Sequence, residues 1–170
     1  MIRHRRKLIY LLGFMGSGKS TVGALVARAL GWPLIDLDTT IEAGRGESIR
    51  EIFDRAGEPF FREIERAALS EASKAEPAVI ALGGGTFAQE PNLQLIRERG
   101  GATVWLDSPF EELLRRCASM TNRPLFRDED SLRQLLNQRL PYYRLAEYRV
   151  STEGRAPEEV AEEILRLKVF

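Results

Sequence analysis

The chain has 170 residues, 44% hydrophobic and 29% charged, which is the size and composition of one globular domain around a single core. Its 25 Lys and Arg residues balance its 25 Asp and Glu residues, so no overall positive charge attracts nucleic acid or an anionic membrane. One cysteine and one histidine exclude an internal disulfide and leave almost no ligands for a zinc site. We expect a cytoplasmic monomer, one domain over residues 1–170, that binds small molecules and neither nucleic acid nor membranes.

Strand-like and helix-like segments alternate along the chain, which predicts a parallel sheet covered by helices on both faces. The first strand is predicted at 7–13. Apolar residues at helical spacing then predict a helix from Val22 that ends at Gly31. The other strands are predicted at 33–38, 78–85, 102–107 and 147–152. The sequence therefore predicts a single three-layer α/β/α domain with a five-stranded parallel sheet.

Two later helices carry signals for their first turns. Ser108 is predicted to cap one of them, with Pro109 at the first helical position and Glu111 at the third. The segment 156–168 places its acidic residues first and its basic residues last, as the helix dipole favours. Both segments are therefore predicted to be helical.

The stretch LLGFMGSGKST at 11–21 contains the most specific motif in the chain. Gly13 and Gly18 are separated by four residues and precede Lys19 and Ser20, which is the phosphate-loop pattern G-x-x-x-x-G-K-[ST]. Such a loop directs backbone N–H groups at phosphate oxygens, while its lysine reaches the β- and γ-phosphates and its hydroxyl binds Mg²⁺. A glycine-rich turn without a ligand is the alternative. The motif indicates a nucleotide but does not identify the acceptor.

Asp36 and Asp38 lie at the end of the second predicted strand, where period-two alternation points both side chains to the same side. One carboxylate can hold the hydration shell of Mg²⁺, while the other orients an acceptor hydroxyl or accepts its proton. In the alternative, Asp38 caps the following helix and Asp36 is merely solvated.

Arg62 and Glu65 are three residues apart on a predicted helix, and their default interpretation is a surface ion pair. Further along, the third strand ends in the glycines at 83–85, where an ordinary ATPase would carry its magnesium-holding aspartate. Glycines at the carboxyl end of a strand let a ligand approach the backbone closely. A tight turn alone is the alternative.

Six motifs together resemble a known family. In order, they are GFMGSGKST, DLD, FFREIE, ALGGGT, RPLF and STEGRAPEEV. From residue 7 to the C-terminus the chain closely resembles the shikimate kinases, and the DxD, FRxxE and triple-glycine motifs are specific to that family among phosphate-loop kinases. The resemblance implies a nucleoside-monophosphate-kinase fold with a substrate-binding segment at 37–66 and a mobile lid at 118–130. It also implies ATP-dependent phosphorylation of the 3-hydroxyl of shikimate, giving shikimate 3-phosphate and ADP in aromatic amino-acid biosynthesis.

The resemblance assigns residues to ATP and to a Mg²⁺ cofactor. Ser20 matches the hydroxyl that binds the metal, and Asp36 matches the carboxylate that holds it through water. Arg123 matches the lid arginine over the transferred phosphate, and Lys19, Asp38 and Arg123 are the implied catalytic residues. Arg116, Arg155 and Pro157 match the adenine pocket. The implied ATP-binding residues are Gly13, Met15, Gly16, Ser17, Gly18, Lys19, Ser20, Thr21, Arg116, Arg123, Arg155 and Pro157.

The resemblance also assigns the shikimate site. Arg62 and Arg139 match the two arginines that clamp the substrate carboxylate, and Glu65 would position Arg62. The implied substrate-binding residues are Asp38, Phe53, Phe61, Arg62, Glu65, Gly83, Gly84, Gly85 and Arg139. After RLPYYR the family pattern continues with one more residue and an acidic side chain before its Ala, whereas LAEYRV follows directly here. This departure leaves the registration of Tyr143 and Arg144 open but not that of Arg139.

Two other functions fit parts of the sequence. Another small-acid kinase, resembling gluconate kinase, is disfavoured by the paired arginines and the triple glycine. A ligand sensor that binds an acid without turnover is disfavoured by the intact set of Lys19, Ser20, Asp36 and Asp38.

The predicted lid contains two arginines, Arg123 and Arg127, and the first is assigned to the phosphate. Phosphoryl transfer depends on alignment and charge stabilisation, so Arg123→Ala should lower kcat by about 10³, whereas Arg127→Ala should cost much less. Steady-state rates with ATP and shikimate would measure both losses. A larger loss at Arg127 would place the phosphate partner four residues further along. If the segment is only a polar helix connection, neither change affects kcat.

Overall fold

Five parallel strands form one sheet in a computed structural model that describes residues 5–120 and 128–170. The strands are β1 (Leu8–Leu12), β2 (Leu34–Asp36), β3 (Ala78–Ala81), β4 (Ala102–Asp107) and β5 (Tyr148–Ser151). Their order in the sheet is β2-β3-β1-β4-β5, so β1 lies at the centre, with Leu11 opposite Ala81 of β3 and Val104 of β4. The predicted five-stranded parallel sheet is confirmed. Arg123 and Arg127 lie outside the described residues.

Helices connect the strands. They are α1 (Lys19–Leu30), α2 (Leu37–Arg45), α3 (Ile49–Ala72), α4 (Glu90–Arg99), α5 (Phe110–Ala118), α6 (Glu129–Tyr143) and α7 (Pro157–Arg166), with a 3₁₀ turn at Thr86–Ala88. Within the described ranges, none of them combines the length and apolar character that crossing a membrane requires.

Alternate residues of the strands enter two separate cores, one on each face of the sheet. In β1, Leu8, Tyr10 and Leu12 pack with side chains of α3, α4, α5 and α6. Ile9 and Leu11 point the other way and pack with side chains of α1 and α7. Because both faces are covered, the strand is apolar at every position, as expected of a central parallel strand. The predicted three-layer arrangement is confirmed.

The strand predicted at 33–38 is wrong at its end, because β2 stops at Asp36 and Leu37 already begins α2. Asp36 is the N-cap residue, and its carboxylate accepts a hydrogen bond of 3.1 Å from Thr39 N–H. The side-chain bond of this cap starts a helix at the next residue and so ends the strand. The alternation of residues along a strand contains no signal for such a helix start. Asp38 therefore lies in the first helical turn, and the alternative that Asp38 is the cap is also wrong.

The predicted N-cap role of Ser108 is wrong as well. The cap position of α5 belongs to Pro109, and the helix begins at Phe110. The buried Ser108 hydroxyl instead shares a hydrogen bond of 2.6 Å with the Thr152 hydroxyl. This bond ties the ends of β4 and β5 together, a tertiary contact that local sequence signals do not contain.

Other boundaries agree more closely with the sequence. β4 has the predicted bounds, whereas β1, β3 and β5 are shorter than predicted, β3 ending at Ala81 before the three glycines. α1 ends at Leu30, followed by Gly31 in the left-handed conformation with φ 67°. The predicted helix at 156–168 appears as α7, with Glu158 and Glu159 in its first turn and Arg166 in its last.

A third, smaller core lies between α2 and α3, within the proposed substrate-binding segment at 37–66. It contains Ile41, Ile49, Ile52 and Phe61. Gly57 interrupts the helical geometry of α3 with φ 82°, so two helical pieces meet there at an angle. The kink positions the second piece, which carries the FFREIE motif, against the end of the sheet.

Two Gly→Ala substitutions would separate the effect of tight packing on stability from the effect of backbone conformational freedom. A Cβ added at Gly101 would lie 2.5 Å from Tyr10 Cε2 and 2.8 Å from Leu8 Cβ, both buried. Gly101→Ala should therefore lower the free energy of unfolding by about 1–3 kcal/mol. Gly44 lies within α2 with open space around its Cβ position, so Gly44→Ala should instead raise it by about 0.5 kcal/mol. Urea denaturation of both variants would measure the two changes, and equal effects would contradict the packing of Gly101.

Candidate active site

The phosphate loop joins β1 to α1 at the carboxyl edge of the sheet, the edge at which open α/β sheets bind ligands. Lys19 Nζ donates hydrogen bonds to Gly13 O at 2.8 Å and to Phe14 O at 2.9 Å, so the ammonium group lies against the loop. α1 begins at Lys19, and the first N–H groups of a helix form a ready anion site. The local geometry is therefore that of a phosphate-binding loop.

Helix α5 supports this loop from the side. Arg116 Nη1 donates a hydrogen bond of 2.8 Å to Gly16 O, across 100 residues of sequence. The buried thiol of Cys117 donates a weaker bond of 3.4 Å to Met15 O. Two successive side chains of α5 thus hold two successive carbonyls of the loop, which restricts its conformation before a ligand arrives.

A cavity of about 430 Å³, called the nucleotide cavity below, opens beside the loop. The residues predicted to bind ATP that line it are Met15, Gly16, Gly18, Lys19, Ser20, Thr21, Arg116 and Pro157. The cavity is also lined by Asp36 and Asp38, from the end of β2 and the start of α2.

Three of the described residues predicted to bind ATP, namely Gly13, Ser17 and Arg155, do not line the nucleotide cavity. Gly13 takes part through its carbonyl, which accepts the Lys19 bond, and Ser17 is buried beneath the loop. Arg155 is held by Ser151 O and Glu159 O, each at 3.0 Å, and by the Glu163 carboxylate. Arg123 lies outside the described residues. The assignment of Arg155 to the adenine pocket therefore stays a prediction from the resemblance.

Ser20 and Asp36 provide oxygen ligands at the edge of the nucleotide cavity. The Ser20 hydroxyl donates to Asp36 Oδ2, while Asp36 Oδ1 is occupied by the Thr39 N–H. Over residues 5–120 and 128–170, no group of three or more His, Cys, Asp or Glu side chains is arranged to hold a metal. A hydroxyl and one carboxylate suit Mg²⁺, which takes few protein ligands and keeps water and phosphate oxygens as the others.

A smaller pocket of about 50 Å³, called the acceptor pocket below, adjoins the nucleotide cavity. It is lined by every residue predicted to bind the substrate, together with Met15 and Ile49. The full set is Met15, Asp38, Ile49, Phe53, Phe61, Arg62, Glu65, Gly83, Gly84, Gly85 and Arg139. The two cavities share Met15, Asp38 and Gly84, so groups bound in each would meet at these residues.

Arg62 and Glu65 form an ion pair of 2.9 Å, but the predicted surface location is wrong. Glu65 is 1% exposed, and its second oxygen accepts a hydrogen bond of 2.6 Å from the Thr86 hydroxyl. Arg62 also pairs with Glu58 at 3.1 Å. Burial opposes the charge of Arg62, yet the two carboxylates outweigh burial and raise the pKa of the guanidinium. The ion pair is therefore a fixed part of the pocket wall.

Arg139 has a different environment. It is 6% exposed, its guanidinium lies 5.5 Å from the centroid of the Phe14 ring, and its Nη1 is buried without a hydrogen-bond partner among the described residues. Burial, assisted by the nearby positive charge of Arg62, lowers the pKa of Arg139. A buried cation with an unused donor is a strong site for an anion.

The triple glycine allows both guanidinium groups to reach the backbone. A Cβ at Gly85 would lie 2.6 Å from Arg62 Nη2 and 3.0 Å from Arg139 Nη2. At Gly84 it would lie 3.0 Å from Arg139 Nη1. Any larger residue would displace the arginines, so these glycines do more than form a turn.

Three residues of this region carry no predicted role in the sequence analysis. Thr86 and Asn92 extend the Glu65 network, since Asn92 Nδ2 donates a hydrogen bond of 2.9 Å to Thr86 O. The Tyr143 hydroxyl donates to Gly84 O. Thr86 directly follows the triple glycine, and Tyr143 lies one helical turn after Arg139. Both spacings could have drawn attention to them, whereas nothing local marks Asn92.

The fold and the paired cavities define a phosphate-loop kinase that acts on a small molecule. The sequence model of the shikimate kinase family matches residues 15–168. The shikimate kinase of Moorella thermoacetica is 45% identical over 158 residues, covering 92% of this chain and 91% of that protein, and that of Aquifex aeolicus is 44% identical, covering 92% and 93%. The solved structure of the shikimate kinase from Acinetobacter baumannii in complex with shikimate is 40% identical, with a TM-score of 0.91 and coverage of 95% of this chain and 92% of that one. The chain belongs to the shikimate kinase family.

Proposed function

We propose that this chain transfers the γ-phosphoryl group of ATP to the 3-hydroxyl of shikimate. The observation that carries the proposal is the junction of the nucleotide cavity and the acceptor pocket at Met15, Asp38 and Gly84. A phosphate held by the loop and a hydroxyl held in the acceptor pocket would lie on the two sides of this junction. Alignment of this kind is the main contribution a protein makes to phosphoryl transfer.

Arg62 and Arg139 favour an acceptor that carries a carboxylate. Arg139 offers a buried Nη1 donor without a partner among the described residues, and Arg62 lies against the same glycine backbone. A carboxylate between them would gain charge-assisted hydrogen bonds from both guanidinium groups. Phe53 and Phe61, with ring centroids 4.8 Å apart, would pack against the carbon ring of shikimate.

On the nucleotide side, Lys19 and the N–H groups at the start of α1 would bind the phosphates. Ser20 and Asp36 would hold Mg²⁺, which when bound neutralises charge on the β- and γ-phosphates. Asp38 lines both cavities, so its carboxylate would orient the 3-hydroxyl and accept its proton late in the transfer.

We also propose a monomer that works in the cytoplasm. The single cysteine, Cys117, is buried and free, as suits a reducing compartment.

A coupled assay of ADP release tests the function directly. With ATP and Mg²⁺ present, shikimate should stimulate ADP release, while gluconate should leave the rate at that of the acceptor-free control. Coupling between phosphorus and the ring proton in the product's NMR spectrum would identify the phosphorylated hydroxyl. Stimulation by gluconate would favour the other small-acid kinase, and calorimetric binding of shikimate without ADP release would favour the sensor.

Substitutions of Asp36 and Asp38 should change different kinetic parameters. Asp36→Asn keeps a good helix cap but removes a charge near the metal, so the Mg²⁺ concentration for half-maximal rate should rise while shikimate affinity barely moves. Asp38→Asn removes the proton acceptor, so kcat should fall by about 10² with unchanged Mg²⁺ dependence. Initial rates over a matrix of Mg²⁺ and shikimate concentrations would separate the effects. Full kcat in Asp38→Asn would mean that another group orients the hydroxyl.

A further inference from the structure

Tyr143, at the end of α6, is a buried tyrosine whose hydroxyl reaches Gly84, a residue that lines the acceptor pocket. It is 1% exposed, and its ring lies against Trp105, with 6.0 Å between the ring centroids. Its hydroxyl donates a hydrogen bond to Gly84 O, 59 residues away in sequence. Gly84 lines both cavities, so Tyr143 fixes a carbonyl at the junction between nucleotide and acceptor.

The same hydroxyl also contacts Arg139. The two residues are four positions apart in α6 and therefore lie on one face of the helix. Arg139 Nη1 would lie 3.0 Å from a Cβ at Gly84, the residue whose carbonyl accepts the Tyr143 bond, so the hydroxyl and the guanidinium meet at one glycine of the pocket wall. Burial raises the pKa of Tyr143 to about 12, which keeps the phenol protonated and able to donate at neutral pH.

The two arginines of the pocket are thus held by different means. Arg62 is held by the carboxylates of Glu65 and Glu58, which neutralise much of its charge. Arg139 is held by a neutral phenol and the face of the Phe14 ring, neither of which carries a full negative charge. The positive charge of Arg139 is therefore left for the ligand, and the cost of ordering its long side chain is met before binding.

We propose that Tyr143 is a positioning residue for the acceptor, because its hydroxyl holds the Gly84 backbone against which the Arg139 guanidinium packs. This contact fixes the carboxylate-binding guanidinium relative to the backbone between the two cavities. This inference rests on the proposed function, because it assigns the carboxylate of shikimate to Arg139. It predicts an effect on the acceptor and none on ATP.

Tyr143→Phe is the direct test, since it keeps the ring against Trp105 and removes only the hydroxyl. The KM for shikimate should rise about tenfold, as expected when one buried hydrogen bond that orders a binding group is lost. The KM for ATP should stay within about twofold of the parent value, because uniform loss of acceptor binding appears in one KM alone.

Tyr10→Phe is the matched control. Tyr10 is equally buried in the same core, and its hydroxyl bonds Ser73 Oγ at 2.9 Å, away from both cavities. It should lower the melting temperature with the KM for shikimate unchanged. If Tyr143→Phe behaves like Tyr10→Phe, with a lower melting temperature and a normal KM, Tyr143 is only structural and the proposal is wrong.

A double-mutant cycle tests whether Tyr143 acts through Arg139. Shikimate binding would be measured by calorimetry for the parent, Tyr143→Phe, Arg139→Ala and the double variant. In the Arg139→Ala background, loss of the hydroxyl should change the Kd by less than about twofold, because the group it positions is gone. An undiminished tenfold effect there would overturn the proposal. A parent that does not phosphorylate shikimate would instead disprove the proposed function, so the two failures are distinguishable.

Discussion

Two guanidinium groups, that of the buried Arg139 and that of the largely buried Arg62, meet at one glycine backbone, and the site depends on this constraint. Arg62 and Arg139 both approach Gly85 so closely that a side chain there would displace the guanidinium groups. Two like charges in such a place are costly without compensation. The chain compensates one arginine with the buried Glu65 carboxylate and leaves the other with neutral partners, which creates a deficit of negative charge that an acidic ligand can fill.

The compensation extends well beyond the pocket. Glu65 can remain buried only because Arg62 and the Thr86 hydroxyl each bond one of its oxygens, and Asn92 in turn bonds the Thr86 carbonyl. A partly satisfied network of this kind would be worse than an apolar one. Thr86 and Asn92, which line neither cavity, thus help to hold the Glu65 carboxylate that compensates the charge of Arg62.

The sequence predicted features that are local and failed where tertiary contacts decide. The phosphate loop, the sheet and β4 follow from spacing and apolar runs within short windows. The strand through Asp38 was wrong because Asp36 caps a helix, and Ser108 was misassigned because its partner, Thr152, is distant in sequence. The depth of the Arg62–Glu65 pair could not be predicted either, because the spacing of two charged residues carries no information about burial. The bond from Tyr143 to Gly84 O could not be predicted, because it joins residues 59 positions apart in sequence.

The shortness of β2 has a consequence for how copies of the chain meet one another. β2 is an edge strand of three residues and β5, at the other edge, has four. Unpaired strand edges invite hydrogen bonding between molecules, and very short edges are one way in which proteins limit this route to aggregation. Asp36 ends β2 because it must cap α2 and face Ser20. Asp36, a residue of the site, therefore also keeps β2 short, so that a second copy of the chain has little strand edge to pair with.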